Sequence, residues 1–169
     1  MEQNFIFKLL DDDTYCVTSY EGDANPVIPD SYMGAPITII ADGVFKGRVE
    51  LSSVSIPDTV TDIGGFVFDG CYSLKSVRLP DNLQNMWQYA FARSGIEQIS
   101  IPDSVRNIVP FTFFRCPRLR RVEIPESVTE IYANAFKDCP NLTEVILPRG
   151  CKVHELAFDG CPKVPYIYI

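Results

Sequence analysis

A phenylalanine recurs along the chain at a nearly constant interval, and this spacing restricts the fold more than any other feature. The repeated residues are Phe45, Phe68, Phe91, Phe113, Phe136 and Phe158, and neighbours in this series are 22 or 23 residues apart. Ile-Pro or Leu-Pro pairs recur with the same period, at residues 56–57, 79–80, 101–102, 124–125 and 147–148. A fixed period of roughly 20–29 residues is typical of solenoids built from short stacked repeats. The sequence therefore predicts a repeat solenoid.

Seven apolar positions recur in each repeat and predict its core. In one repeat they are Ile124, Val128, Ile131, Phe136, Cys139, Leu142 and Val145. A repeat this short cannot bury its own apolar side chains, so stacking has to place each position on its equivalent in the next repeat. In the last repeat the same positions are predicted to be Leu147, Cys151, Val153, Phe158, Cys161, Val164 and Ile167.

Each repeat is predicted to contain two short extended segments and one turn segment. Residues 142–147 alternate near their end, which favours a strand with Val145 and Leu147 pointing inward. Pro148 then ends the pairing because it lacks an N–H. Residues 128–131 read as a second extended piece, and the Ala-containing stretch 132–138 predicts short helical or 3₁₀ turns.

The two ends of the chain depart from the repeat pattern. Residues 5–10 and 14–20 flank three aspartates at 11–13, which predicts a β-hairpin that closes the N-terminal side of the core. We expect one domain, with a capping hairpin over residues 1–27 and a leucine-rich-repeat-like solenoid of about six coils over residues 28–169. The chain ends on half a repeat, and a strand edge left uncovered there could pair with another chain.

Composition and charge argue against several classes of function. With 169 residues, of which 46% are hydrophobic, the chain can form a full core. A net charge of −7 argues against binding to nucleic acid, which needs clustered positive charge, and against docking on anionic membranes. No apolar run approaches the roughly 20 residues of a transmembrane helix, and no secretory signal is visible. We expect a cytoplasmic protein from the chain as it stands, or a secreted or cell-surface one if a signal has been removed.

Few residues suggest catalysis. Cys71, Cys116, Cys139 and Cys161 share one column and are predicted to be buried free thiols, although disulfides between adjacent coils are conceivable for Cys116–Cys139 and Cys139–Cys161. Paired C-x₂-C spacing, as in zinc sites, is missing. The single histidine, His154, lies three residues from Cys151, but Cys151 is expected to point into the core. The aspartates at 11–13 fit a hairpin turn better than a cation site. We expect no catalytic residue, cofactor or metal.

The outward-facing residues of the strands are the remaining candidates for function. Two rows are predicted across the sheet: Ser55, Arg78, Ser100, Glu123, Ile146 and Tyr168, and Ser53, Ser76, Gln98, Arg121, Glu144 and Tyr166. Tyr and Arg are enriched at the energetic centres of protein interfaces. The candidate partner-binding residues are Arg78, Gln98, Arg121, Glu123, Glu144, Ile146, Tyr166 and Tyr168, with an ordinary solvated sheet face as the alternative.

Two motifs resemble a known family, the BspA-type leucine-rich repeats. I-P-[DE]-[ST]-V-T-x-I occupies residues 56–63 and 124–131, and A-F-x-x-C-x-x-L-x-x-V occupies residues 135–145. The resemblance covers nearly the whole chain, roughly residues 5–169. The asparagine of ordinary leucine-rich repeats is not kept, since its positions hold Thr59, Asn82, Ser104 and Ser127, so the curvature of an ordinary horseshoe is not expected.

The resemblance implies a function through surfaces, because members of this family commonly act as adhesion or protein-binding surfaces, often on secreted bacterial or protist proteins. Our leading hypothesis is a non-enzymatic binding module that presents its sheet face to a protein or peptide, without membrane insertion. A second hypothesis is a structural protein that self-associates through an edge strand at Tyr166–Ile169. An enzyme that uses Cys16 or Cys151 with His154 is a remote third.

Overall fold

Short β-strands joined by turns account for the regular structure of the chain. The computed structural model describes residues 3–162 and 166–169, and none of these residues lies in a helix. The strands are β1 (Asn4–Leu9), β2 (Tyr15–Glu21), β3 (Ser31–Tyr32), β4 (Ala35–Ile40), β5 (Asp62–Ile63), β6 (Asn85–Met86), β7 (Gln98–Ser100), β8 (Asn107–Ile108), β9 (Arg121–Glu123), β10 (Glu130–Ile131), β11 (Glu144–Leu147), β12 (Lys152–Val153) and β13 (Tyr166–Tyr168). The chain winds as a β-solenoid of about seven turns.

Two parallel stacks of strands form two faces of the solenoid. The first face is a four-stranded sheet in the order β7-β9-β11-β13. The second face consists of β4-β5-β6 followed by β8-β10-β12. At the N-terminus, β1 and β2 form an antiparallel hairpin, and β2 lies parallel beside β4. The division of the domain at residues 27 and 28 stays a prediction.

The six repeated phenylalanines lie in one continuous row through the core. Their ring centroids are separated by 5.0–5.5 Å from Phe45 to Phe158, and neighbouring rings are stacked. This separation is close to the spacing of about 4.8 Å between adjacent strands, so each ring falls on the next because each coil does. The first five rings are fully buried, and Tyr20 of β2 packs on Phe45 at 5.4 Å.

The other inward columns follow the sequence prediction through most of the chain. Val145 and Leu147 are buried on β11, and residues 128–131 end in strand β10. Val77 is only half-buried, and so are Cys151 and Val153 in the last repeat. Val164 lies outside the described residues. Apart from Val77, the inward positions are therefore buried through the middle coils, and burial decreases towards the C-terminal end.

The turn segment is not helical, so this part of the prediction was wrong. In residues 132–138, Asn134, Phe136 and Asp138 donate their backbone N–H groups to carbonyls of the next coil at 2.8–3.0 Å. An α-helix would direct these N–H groups to carbonyls four residues back in the same segment. Asn134 and Asp138 also have positive φ angles of 61° and 58°, a conformation that interrupts any right-handed helix. The third side of the solenoid is therefore a stack of turns joined by hydrogen bonds between coils.

The cysteine column combines burial with a repeated hydrogen bond. The thiols of Cys71, Cys116 and Cys139 each donate to the carbonyl of the phenylalanine in the preceding coil, at 3.1 Å. Cys161 makes the same contact with Phe136 at 3.0 Å, and all six cysteines of the chain are free. In the first coil Arg48 takes this position, and its guanidinium donates to the carbonyls of Tyr20 and Gly22. The side chains of this column therefore pack in the core and also donate hydrogen bonds to backbone carbonyls.

One coil is shortened by a residue at Gly95. The interval from Phe91 to Phe113 is 22 residues, and the missing residue lies between Ser94 and Ile96, where other coils have two residues between the equivalent positions. The coil closes because Gly95 approaches the preceding coil and donates its N–H to the Cys71 carbonyl at 3.0 Å. A Cβ atom at this position would overlap the carbonyl oxygen of Tyr72.

Truncating a ring in the phenylalanine row should strongly destabilise the whole solenoid. We expect Phe91→Ala to lower the free energy of unfolding by about 3–5 kcal/mol, because the cavity cannot collapse between two stacked neighbours. Urea titration followed by circular dichroism measures this loss. Phe158→Ala is the matched control at a half-buried position, and it should cost clearly less. Equal losses in the free energy of unfolding for the two variants would contradict the claim that the phenylalanine row is the centre of the core.

A methyl group at Gly95 should be poorly tolerated. We expect Gly95→Ala to cost about 1–3 kcal/mol, since the backbone of two coils would have to move apart. Gly150→Ala is the control, because a Cβ there meets no atom within 4 Å. If urea midpoints of the two variants coincide, the close approach at Gly95 is not real.

The thiols should differ sharply in reactivity. Burial raises the pKa of the Cys71 thiol to about 12, so almost none of the reactive thiolate is present at pH 8. Cys151 and Cys161 are only half-buried. Iodoacetamide at pH 8, followed by peptide mass spectrometry, should label these two first and reach Cys71 only after unfolding. Equally fast labelling of Cys71 in native and unfolded protein would refute this assignment.

Candidate protein-binding face

The four-stranded sheet brings most of the predicted surface residues together. Its register aligns Gln98, Arg121 and Glu144 across β7, β9 and β11 in one outward row. Ser100, Glu123 and Ile146 align in the second row. The placement follows from side-chain alternation, because the intervening residues Val122 and Val145 are buried.

A network of charges fixes the middle of this face. Arg121 donates from Nε to Glu144 Oε1 at 2.8 Å and from Nη2 to Glu123 Oε2 at 3.3 Å. All three side chains remain partly exposed, so the pairs add little stability. Their consequence is geometric, since the guanidinium is held between two carboxylates.

Arg78 lies one coil before the sheet and forms a second, similar group. Its guanidinium contacts both carboxylate oxygens of Asp58 at 3.0 and 3.3 Å, and Asp81 at 3.1 Å. The hydrogen bond with Asp58 raises the pKa of Arg78, and the same contact lowers the pKa of Asp58. Residues 75–79 belong to no strand, and a single backbone hydrogen bond, from Glu97 N to Lys75 O, joins them to the next coil in the described part of the chain.

A shallow groove separates these two arginine groups. It has a volume of about 390 Å³, and Gln98 and Ser100 lie between Arg78 on one side and Arg121 on the other. The carboxylates of Asp81 and Glu123 also line it. The groove lies where residues 75–79 make almost no backbone hydrogen bonds to the next coil. The face is therefore neither flat nor uniformly paired.

Two predicted residues of this face are placed differently by the structure. In β13, Tyr166 pairs with Val145 and Tyr168 pairs with Leu147, so Ile167 falls beside Ile146. The predicted register was one residue off, and such a slip moves every side chain to the opposite side of the sheet. The placement of Tyr166 and Tyr168 in the outward rows, and of Ile167 in the inward column, was therefore wrong.

The shifted register has a physical reason at the end of the phenylalanine row. The Tyr166 ring lies 5.6 Å from the Phe158 ring, which would otherwise be the uncovered last member of the row. Tyr20 covers the first member in the same way. Ile167 is 47% exposed and extends the apolar part of the outer face that begins at Ile146.

Within the described residues, no hydrogen bond joins His154 to Cys16 or Cys151, the residues considered for catalysis. The Nδ1 atom of His154 accepts a hydrogen bond from the Leu156 backbone N–H at 3.1 Å. The Cys151 thiol lies 3.9 Å from the Lys152 carbonyl, and burial raises its pKa. Within residues 3–162 and 166–169, no three His, Cys, Asp or Glu side chains are grouped to hold a metal ion, and no helix is long and apolar enough to cross a membrane.

Sequence reasoning overlooked an aromatic stack on the turn side. Phe66, Tyr89 and Phe111 lie in consecutive coils with ring centroids 4.8 and 4.9 Å apart. All three have φ angles of 60–64°, at positions where other coils have Gly43 or Asn134. A bulky residue in this conformation costs roughly 1–2 kcal/mol, and each stacked pair returns about 0.5–1.5 kcal/mol. The signal was visible in the sequence as an aromatic residue two positions before Phe68, Phe91 and Phe113.

Because the rings of this stack face one another, it offers solvent mainly their edges. Lys46 covers the Phe66 ring at 4.6 Å from its centroid. At the other end Phe114 packs edge-on against Phe111, and Arg115 lies over Phe114. The stack therefore stabilises three coils against each other and leaves an apolar strip on the turn side.

Comparison with solved structures finds the same solenoid in bacterial proteins. A leucine rich repeat protein from T. pallidum (TpLRR) matches with a TM-score of 0.81 and 30% identity, over 97% of this chain and 83% of that one. A leucine rich cell surface protein from Faecalibacterium prausnitzii A2-165 matches with a TM-score of 0.70 and 27% identity, over 97% of this chain and 52% of its own length. The pneumococcal vaccine antigen PcpA has the same fold, with a TM-score of 0.73 at 17% identity over 99% of this chain and 48% of that one. Curated protein sequences give no match.

The family model described as BspA type leucine rich repeat region matches residues 38–165, in six copies. This range contains all six phenylalanines of the core row and the strands β7, β9 and β11 of the sheet face. The family predicted from the two sequence motifs is confirmed. The chain belongs to the family of BspA type leucine rich repeat proteins.

Proposed function

We propose that this protein is a non-enzymatic binding module of the adhesion type, which presents its four-stranded sheet to a protein partner. The observation that carries the proposal is the outward face of that sheet. Arg121 is held between Glu123 and Glu144, while Ile146 and Ile167 form an apolar patch beside them. Protein interfaces combine an apolar centre, where Arg is enriched, with a polar rim.

The charge on this face indicates the kind of partner. Two arginines, Arg78 and Arg121, are each paired with two carboxylates, which leaves the face with a net negative charge. The whole chain carries −7. A partner with Lys or Arg side chains around an apolar contact would complement this surface, and its association would be faster at low salt.

The relatives support a role at a surface without defining a partner. The protein from F. prausnitzii is described as a cell surface protein, and PcpA as a vaccine antigen. A rigid repeat protein that carries its binding residues on short, well-ordered strands suits recognition of another protein, because few groups need to be ordered on binding.

The sheet face can be tested with charge-reversal variants on a protein array. We expect wild-type protein to bind basic surface proteins. Glu123→Lys with Ile146→Lys should lose at least about tenfold in affinity, equivalent to 1.4 kcal/mol, because both changes place positive charge against a basic partner. Glu130→Lys, on the second face, is the matched control and should bind as the wild type does. The proposal fails if the double variant retains full binding, or if the control loses it equally.

Self-association is a second candidate, favoured by the exposure of the last strand. Within the described chain β13 pairs only with β11, and Tyr166, Ile167, Tyr168 and Ile169 are 37–53% exposed. A free strand edge with apolar side chains can pair with a second copy. Light scattering should then show a concentration-dependent dimer for the wild type and a monomer for Ile167→Lys. Monomers in both samples at high concentration would exclude this function.

A further inference from the structure

The second face of the solenoid is interrupted between two neighbouring coils. Strand β6 pairs with β5, and β8 pairs with β10, but β6 and β8 belong to separate sheets. On one side of the interruption, Gln84 N and Trp87 N donate to Thr61 O and Ile63 O at 2.8 and 2.9 Å.

The same pair of bonds recurs at the other levels of this face. Thr129 N and Tyr132 N donate to Arg106 O and Ile108 O, and Lys152 N and His154 N donate to Thr129 O and Ile131 O. Arg106 and Val109 hold the equivalent positions at the interruption. Within residues 3–162, the backbone N–H groups of Arg106 and Val109 donate to no backbone carbonyl across the interruption. Two donors, and the acceptors they would have met on Gln84 and Met86, are thus released from the sheet.

The interruption opens into a cleft, which we call the polar cleft. Its volume is about 570 Å³, within the range of about 300–1,000 Å³ that is typical of small-molecule sites. The lining residues are Gln84, Asn85, Met86, Trp87, Ser104, Arg106, Asn107 and Val109. Three side-chain amides and one guanidinium make up half of this lining, which contains no carboxylate.

These groups provide both donors and acceptors. The Asn85 side chain donates to Asp62 Oδ1 at 2.8 Å, which fixes the amide and leaves its carbonyl oxygen free to accept. Gln84 and Asn107 are exposed amides, each with one acceptor oxygen and two donor hydrogens. A ligand hydroxyl also donates and accepts, so a ligand rich in hydroxyls would satisfy such a lining most completely.

Trp87 adds an apolar surface beside these amides. It is the single tryptophan of the chain and is 53% exposed. The equivalent position in other coils holds Gly64, Val109, Tyr132 and His154. An exposed indole combines a broad apolar face with one N–H donor, which suits a ligand with one apolar and one polar side.

We infer that the polar cleft binds a saccharide. The apolar C–H face of a sugar ring packs on Trp87, and its hydroxyls bond to Asn85, Asn107 and the released backbone groups of Arg106 and Val109. An extended peptide is the competing ligand, but a peptide that adds to a sheet takes its affinity from main-chain hydrogen bonds and its specificity from pockets for alternate side chains. Here Met86 is buried and Val109 half-buried, which leaves little apolar surface besides the indole. The cleft lies on the second face, so it does not depend on the proposed function of the first.

The single tryptophan makes the test direct. Native protein is titrated with neutral hexasaccharides of glucose, galactose, mannose and N-acetylglucosamine, with a uronic-acid hexasaccharide, and with an extended hexapeptide, while Trp87 fluorescence is recorded. We expect a saturable change with at least one saccharide and none with the peptide. Asn107→Ala should weaken that binding at least about tenfold.

Matched variants separate binding from changes in folding. Glu130→Ala alters the residue in register with Asn107 on the neighbouring strand, where pairing is intact, and should bind the saccharide as the wild type does. Trp87→Ala is measured by calorimetry and should abolish binding while the urea midpoint stays close to that of the wild type. The inference is overturned if no saccharide binds, if the peptide binds instead, or if Asn107→Ala and Glu130→Ala bind equally.

Discussion

The stacking of coils at the spacing of adjacent strands is the constraint from which the rest of this structure follows. At about 4.8 Å between coils, a side chain that points inward meets its own equivalent above and below, so an apolar column has to be apolar in every repeat. The phenylalanine row satisfies this rule with rings 5.0–5.5 Å apart. Many backbone groups obey the same rule, because N–H groups on all three sides bond to carbonyls of the next or the preceding coil, while turn residues such as Ala135 and Lys137 bond within their own coil.

Where neighbouring coils are not paired through their backbones, polar groups are exposed to solvent. Pairing lapses beside Arg78 on the first face and between β6 and β8 on the second, and a groove or cleft opens at each place. In the sequence, the shortening at Gly95 falls between β6 and β8, the two strands that flank the second interruption. Regular stacking builds the scaffold, while the irregular coils in its middle carry the polar groups that are free to bind.

The sequence predicted what depends on periodicity and missed what depends on local backbone conformation. The inward columns, the family and the alignment of Gln98, Arg121 and Glu144 all follow from counting residues between equivalent positions. The turn at residues 132–138 was predicted to form short helical or 3₁₀ turns because its composition suits them, yet the N–H groups of Asn134, Phe136 and Asp138 bond to the next coil. The register of β13 was missed because Tyr166 covers Phe158, a contact between chain segments that periodicity does not encode. The polar cleft was beyond sequence reasoning, since a missing hydrogen bond leaves no mark in the residue pattern.

Residue-resolved hydrogen exchange tests most directly the claim that coils are joined by backbone bonds on every side except where binding groups are released. The amide protons of Phe68, Phe113 and Phe136 on the turn side, and of Thr129 and Tyr132 on the second face, donate to neighbouring coils and should exchange slowly. The amides of Arg106 and Val109, at equivalent positions of the interrupted level, should exchange much faster. Protection of Arg106 and Val109 equal to that of Thr129 and Tyr132 would show that the second face is continuous and would contradict the account.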